Sequence, residues 1–441
     1  MWDFDLLPTL FVYAVFLFCF LFALARPYIG LIGYYGFFLL QPEWNWRWIF
    51  SPGQGFQKYL AIATLIGVLI TKRRTGGSPR IVNYAVFCLV GFIALAFLSY
   101  QYSIRPIETF SYIDGLWKVV LMATIGVYLL DTTAKLSAFI WVLVIAQGFN
   151  AYRINESYFQ TGVSLFSSTG YGYNGDNNMY SILTVPIIAM SASLALWTTK
   201  IWQKGLAGGI FVLQLHQIML LESRGCMLGC LVMLPLIVLM MPKSLANIWI
   251  VVGFTIIGAV LAGPPVVKEF MSSFGQGEFR DSSAESRFQL WRAGFEITAN
   301  YPILGVGPWA GQYLVPSYLG SSGGNKSLHN LFFEISCGCG VLATLLYFAF
   351  FGISASCATR MKLTATDSHE YDALCCAKNA VLPGLVGYMV SSMFSAGALL
   401  ESSYALAVVG LSATRINFQK ANQEHMESVF DPLNEVGTVE E

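Results

Sequence analysis

Four arginines and one histidine occupy positions where they could handle an anion and a hydroxyl. Arg224 interrupts an apolar stretch from Ile218 to Gly225, where two hydrophobic runs meet with almost no loop between them. An ionisable group at that depth costs several kcal/mol unless it is paired, so it marks either a function or a compensated structural feature. Two readings stand: a guanidinium snorkelling to lipid phosphates or pairing with Glu222, and a fork of fixed donors for a bound phosphate. Arg280, Arg287 and Arg292 lie within one polar stretch further on. Arg287 and Arg292 fall about 140° apart on a helix stepping 100° per residue, so only one is expected to face a shared site. His329 is one of four histidines, at the junction of a polar segment (321–327) and an apolar run. Its ring is a natural general base near neutral pH; as a structural residue it would cap or anchor the following helix. Glu334 and Glu401 are each readable as a partner for an arginine or as a proton-transfer group.

Other chemistries find no support. Gly305-Val306-Gly307 follows no expected strand and lacks the third glycine of a dinucleotide fold, and Gly324 to Ser327 does not form a phosphate-binding loop; no nucleophile elbow and no HExxH zinc motif occur. The nine cysteines lack metal spacing and fall mostly in apolar runs, where they read as small apolar residues. Neither a metal nor a cofactor is expected. With 25 basic and 25 acidic residues the net charge is zero, so there is no electrostatic case for nucleic acid.

The elements that must position these groups are membrane helices. Of 441 residues, 56% are hydrophobic and 11% charged, a composition that indicates an all-α polytopic membrane protein. Twelve apolar runs fall near 6–25, 58–71, 81–99, 117–130, 136–151, 179–197, 206–222, 225–241, 247–262, 330–355, 378–397 and 399–414. A thirteenth at 28–41 is short, bounded by Pro27 and Pro42 and followed by Trp44, Trp46 and Trp48 in the manner of an interfacial belt; its crossing is left open. About twelve spans are therefore expected, arranged as an N-terminal bundle (1–262), a large loop (263–329), C-terminal helices (330–414) and a cytoplasmic tail (415–441) that is disordered after Lys420. If the loop holding Lys72, Arg73 and Arg74 is cytoplasmic, alternation puts most other short basic loops there too, from Arg80 and Lys135 to Arg415 and Lys420. The large loop, Arg224 and His329 then share the opposite face. Within that loop Phe288, Trp291 and Phe295 recur at helical spacing between Asp281 and Asn300, the pattern of an amphipathic helix lying on a membrane surface. Long insertions of this kind usually carry sites.

Three separated motifs carry a resemblance. Leu221 to Gly225, then Arg287 to Trp291 leading fifteen residues later into Pro302 to Gly307, then His329-Asn330 with Gly340 eleven residues past the histidine, resemble the O-antigen ligase and polymerase superfamily. The likeness covers roughly residues 170 to 350. Arg26 to Gly30 and Gly175 to Asn178 are similar to the O-glycosylation ligases associated with exosortase systems. This resemblance implies a metal-independent glycosyltransferase on the outer, periplasmic face of a bacterial inner membrane. Its donor would be a glycan on undecaprenyl diphosphate, and its acceptor a hydroxyl on lipid A-core, on another glycan or on a protein. Arg224 and Arg287 would bind the donor diphosphate and His329 would act on the acceptor hydroxyl, with Arg280, Arg292 and Glu334 as secondary candidates. A polymerase or a protein O-oligosaccharyltransferase remains open within the class, and a transporter outside it.

Overall fold

The computed structural model of the chain describes residues 6–71, 77–172, 175–245, 247–249, 251–253, 256, 282–320, 327–363 and 368–430, and among them the regular elements are all helices. In chain order these are α1 (Leu6–Ala25), α2 (Pro27–Leu40), α3 (Pro42–Asn45), α4 (Phe56–Ile70), α5 (Arg80–Gln101), α6 (Pro106–Leu129), α7 (Thr133–Thr161) and α8 (Leu165–Thr169). They continue with α9 (Asn177–Trp197), α10 (Ile201–Leu220), α11 (Arg224–Met240), α12 (Ser282–Asn300), α13 (Val315–Leu319), α14 (Leu331–Arg360), α15 (Ser368–Ser392) and α16 (Glu401–Phe430).

Seven of the described helices are long and apolar enough to cross a membrane, namely α1, α5, α6, α7, α9, α14 and α15, and α4 and α11 are shorter apolar helices. This is fewer than the twelve expected, and the difference has physical causes. Of the twelve, α4 and α11 span only 15 and 17 residues, or about 23 and 26 Å at 1.5 Å per residue, short of a hydrocarbon core about 30 Å thick; α2, the run left open, spans 14. α10 carries Gln214, His216 and Gln217, all buried, and they bond inward: Gln217 Nε2 to Thr184 Oγ1 at 3.0 Å, Ser191 Oγ to Gln214 Oε1 at 2.9 Å, and His216 Nδ1 with Asn155 Oδ1 at 2.5 Å. Polar groups that pair between helices lower hydropathy without exposing polarity to lipid. The expected run at 247–262 falls largely outside the described residues. The expected disordered tail is corrected in part, because α16 continues as helix through Phe430; residues 431–441 lie outside the described set.

The bundle is layered by burial. The span of α9 is 94% buried and that of α1 only 17%, so α9 is central and α1 lies at the rim. α2 doubles back between α1 and α4: a Cβ on Gly30 would meet Ala23 and Thr64, and one on Gly33 would meet Cys19 and Leu60. Small residues here let the helix backbones approach closely.

Contacts between helix ends define two opposite ends of the molecule. At one, Gln57 Nε2 donates to Glu401 Oε1 at 2.7 Å, Ser99 Oγ to Gly338 O at 2.7 Å and Ser223 Oγ to Asn178 Oδ1 at 3.0 Å. At the other, Thr199 Oγ1 meets Asp372 Oδ2 at 2.8 Å and Arg415 Nη1 donates to Val127 O at 2.8 Å. The candidate residues that the structure describes lie at the first end.

Candidate active site

The Pro302–Gly307 turn has a backbone role. Inside α14, Gly340 departs from helical geometry at φ 85° and ψ 172°, which frees carbonyls that would otherwise go unpaired in a buried place. The turn satisfies them. Val306 N donates to Cys337 O at 2.9 Å, Gly307 N to Gly338 O at 3.0 Å, and Val341 N to Pro302 O at 2.8 Å. The approach leaves no room for a side chain: a Cβ on Gly340 would stand 2.1 Å from Ile303 O, and one on Gly305 2.4 Å from Gly338 O. The motif and the glycine 33 residues later in the numbering are thus two halves of one junction, which holds the first turns of α14 in place.

Those first turns carry His329. Asn330 caps α14, its Oδ1 accepting from Phe332 N at 2.9 Å and Phe333 N at 3.3 Å while its Nδ2 donates to Met393 O at 3.2 Å. Capping therefore belongs to Asn330, and His329 is released from that role. His329 takes a left-handed backbone, φ 47°, uncommon for a side-chain-bearing residue and a sign of local constraint. Its half-buried ring lines a small cavity with Trp309, Gln312, Ser327, Glu334 and Ala396.

Glu334 is buried and accepts from the Tyr112 hydroxyl at 2.6 Å, Gly397 N at 2.9 Å and Ala398 N at 3.4 Å. Tyr112 stacks on Trp309, ring centroids 5.3 Å apart and planes within 14°. Glu334 thus fastens the 393–400 segment to α6 and α14, with a tyrosine and two backbone amides as partners. Glu401 likewise takes its bond from Gln57.

The 393–400 segment is what draws the motifs together. The sequence suggests a span through residue 397, but α15 stops at Ser392 and the chain turns. Phe394 sits in that turn: the Arg287 guanidinium lies 6.0 Å from its ring centroid and the Trp291 ring 5.9 Å away. Gly225, next to Arg224, packs so closely that a Cβ there would stand 2.9 Å from Phe394 Cβ. One ring therefore touches both arginine motifs, and two residues later Ala396 lines the His329 cavity. Phe394 was not singled out from sequence, because it ends an apolar run and looks like one more membrane residue.

Arg224 opens α11 and is half-buried. Ser223 precedes it but does not cap the helix; its hydroxyl bonds Asn178 instead. A helix N-terminus repels cations and attracts anions, so an arginine there adds to an anion-attracting spot. Glu222 is exposed, at φ 55°. Arg287 faces the Phe394 cluster, whereas Arg292 is 81% exposed and its Nε lies 3.2 Å from Glu296 Oε1, as the helical phase difference requires. Arg280 lies outside the described residues, as do 257–281 and 321–326 of the large loop. α12 buries Leu290, Ala293 and Ile297 and leaves Phe288 and Phe295 exposed, so its aromatic face is turned outward, as suits a helix resting on a membrane.

Beside this cluster a groove of about 470 Å³ runs between α12, α14 and α15, lined by Trp291, Phe332, Phe333, Phe348, Met389 and Met393. The arrangement offers cations and helix-end amides for an anion, a titratable ring nearby, and an adjoining apolar trough. Among the described residues no group of three His, Cys, Asp or Glu side chains is placed to hold a metal ion.

Residues 209–348 match the family described as O-Antigen ligase, and residues 7–200 match a family of unknown function, DUF5935. No curated protein matches the chain.

Proposed function

Residues 209–348 support membership of this chain in the O-antigen ligase superfamily, and from that premise we propose that it transfers a glycan from undecaprenyl diphosphate to an acceptor hydroxyl on the periplasmic face of a bacterial inner membrane. Arg224 and Arg287 hold the donor diphosphate. Fixed guanidinium donors neutralise the charge that develops on the leaving group, the task a metal ion performs in other transferases. His329 takes the proton from the acceptor hydroxyl, a poor nucleophile without a base in reach. The hydroxyl oxygen forms the new glycosidic bond as the bond to the diphosphate breaks, inverting the anomeric carbon. The apolar groove beside Trp291 suits the prenyl chain.

The observation that carries this reading is the meeting of both arginine motifs on Phe394, with the His329 cavity two residues further along the same turn. Transporters tend to place charges near the bilayer midplane on broken helices; here the candidate groups gather at helix ends. Lipid A-core, a second glycan and a protein hydroxyl all fit the chemistry as acceptors, so ligase, polymerase and protein O-glycosylation differ only in what enters beside His329. The outer-face assignment is supported by the basic short loops at the opposite end. Ser317 is exposed on α13, so Ser317→Cys, in a background lacking reactive cysteines, should react with an impermeant thiol reagent while the inner membrane is intact.

The direct test uses the full-length protein in nanodiscs with a prenyl-diphosphate-linked glycan and each acceptor class in turn. Release of free prenyl diphosphate together with a mass gain on one acceptor is expected. A donor that binds and stays intact with all three classes would contradict the proposal.

A further inference from the structure

The part of the chain with no assigned role, residues 7–200, builds a second cavity at the same end of the molecule. It measures about 220 Å³ and is lined by Trp44, Arg47, Trp48, Arg153, Glu156 and Tyr171 among others. Its floor is rigid. The Tyr171 hydroxyl donates to Asn45 Oδ1 at 2.7 Å, Asn45 Nδ2 to Asn150 Oδ1 at 2.7 Å, and Asn150 Nδ2 to Leu39 O at 2.6 Å, all among buried residues. Satisfied buried networks of this kind fix the groups they carry. Burial pushes the Tyr171 hydroxyl well above its ordinary pKa, so it stays a neutral donor. The walls present polar edges: Arg153 Nη1 pairs with Glu156 Oε2 at 3.1 Å, and Arg47 lies 4.9 Å from the Trp44 ring centroid.

We propose that this cavity is a saccharide subsite, which binds a sugar ring of a glycan substrate through the indoles of Trp44 and Trp48 and the planar side chains of Arg47, Arg153 and Glu156. A sugar ring has a C–H face that lies on an aromatic surface and a rim of hydroxyls that both donate and accept. This lining matches both features, with donors on the guanidiniums and acceptors on the carboxylate. An anion is the poorer fit, because Glu156 stands in the wall and engages one of the two arginines. A few fixed polar groups around aromatic walls are also the usual make-up of a small-ligand site.

The cavity is tied to the arginine site by one short motif. Asn177 Nδ2 donates to Phe166 O at 2.7 Å and its Oδ1 accepts from Tyr171 N at 3.2 Å, which shapes the cavity wall. The next residue, Asn178, accepts from Ser223 beside Arg224. Gly175 to Asn178 thus positions the saccharide subsite on one side and the anion site on the other. The proposal rests on the transfer reading only in naming a glycan substrate as the source of the sugar.

The test is saturation-transfer NMR on the full-length protein in nanodiscs with two lipid-free oligosaccharide pools. One pool is released by mild acid from prenyl-diphosphate-linked glycans of the producing cells, the other from their finished surface glycans. One pool should give a signal, and which one tells donor from acceptor. Trp48 is 58% exposed, so Trp48→Ala should fold normally yet weaken binding about tenfold, the worth of about one stacked ring; Arg153→Gln should weaken it as well, and Arg224→Lys should leave it unchanged. Equal binding by the wild type and Trp48→Ala, no signal from either pool, or displacement by inorganic phosphate would overturn the proposal. Binding that persists in a protein without transfer activity would remove the transfer reading and leave the subsite standing.

Discussion

The two ends of the bundle place several of their basic residues differently. Away from the site, Arg415 Nη1 donates to Val127 O at 2.8 Å, Lys378 Nζ to Met361 O at 2.8 Å and Lys243 Nζ to Val238 O at 2.7 Å. Each acceptor belongs to the last turn or cap of a helix, where carbonyls lack intrahelical partners and the dipole is negative. At the site end three arginines lie against a ring or begin a helix, although ring contact is shared by the other end, where Arg415 lies 5.6 Å from the Tyr128 ring centroid. Arg287 lies by Phe394, Arg105 by Tyr313 at 5.2 Å, and Arg224 stands at the N-terminus of α11. A guanidinium combines a face that stacks on rings with a planar fork of N–H donors, while a cation at a helix start opposes the dipole by about 0.3–1 kcal/mol. At one end these cations serve helix C-termini; at the other they stand where we propose that the donor anion binds.

Exchanging shape for charge should separate the ends most sharply. Arg224→Lys and Arg287→Lys keep the charge and lose the bidentate fork, so each should insert normally and lose transfer by about a hundred- to a thousandfold, the usual cost of removing a fixed donor from a developing charge. Near-parental transfer by both variants at limiting donor would reduce the site to a general attraction for anions. Arg415→Lys, at the other end, should leave transfer within about twofold, since a lysine also serves a helix C-terminus.

A backbone substitution tests the scaffold beneath the comparison. Gly340→Ala adds a Cβ 2.1 Å from Ile303 O at a φ of 85°, and forced left-handed geometry alone costs on the order of 1–3 kcal/mol. Its thermal midpoint in detergent should fall, with transfer falling alongside. An unchanged midpoint would show that the junction of the 302–307 turn with α14 yields easily.

The smallest effect is expected at Arg292. An exposed ion pair contributes about 0.2–1 kcal/mol, so Arg292→Gln should keep transfer within about twofold. A large loss there would place a second arginine of α12 at the site and break the assignment of Arg287 by helical phase.

Helix positions were legible because each apolar run had to be a helix: α1, α9 and α11 fall within two residues of the runs from which they were expected. The phase of Arg287 against Arg292 was legible for the same reason. What escaped was whatever depended on contacts distant in sequence. Phe394 has no local signal, since its role comes from α11 and α12 packing on either side of a turn that hydropathy reads as membrane. The partnership of Glu334 with Tyr112 joins residues 222 apart. The glycine motif was visible as a pattern, but its physical reason, a helix break filled by another backbone, is a property of two segments together. The run at 206–222 reads as a span, yet α10 is not among the helices apolar enough to cross, because Gln214, His216 and Gln217 bury their polar groups against other helices.

His329→Asn tests most directly whether His329 acts on the acceptor while the arginines hold the donor. Asparagine tolerates the left-handed backbone that His329 adopts, and the cap of α14 is carried by Asn330, so the variant should fold and bind donor as the parent does. General-base catalysis is worth about a hundred- to ten-thousandfold, and transfer from the lipid-linked donor should fall by about that factor with donor affinity unchanged. A well-folded His329→Asn protein that transfers glycan at close to the parental rate would contradict the account.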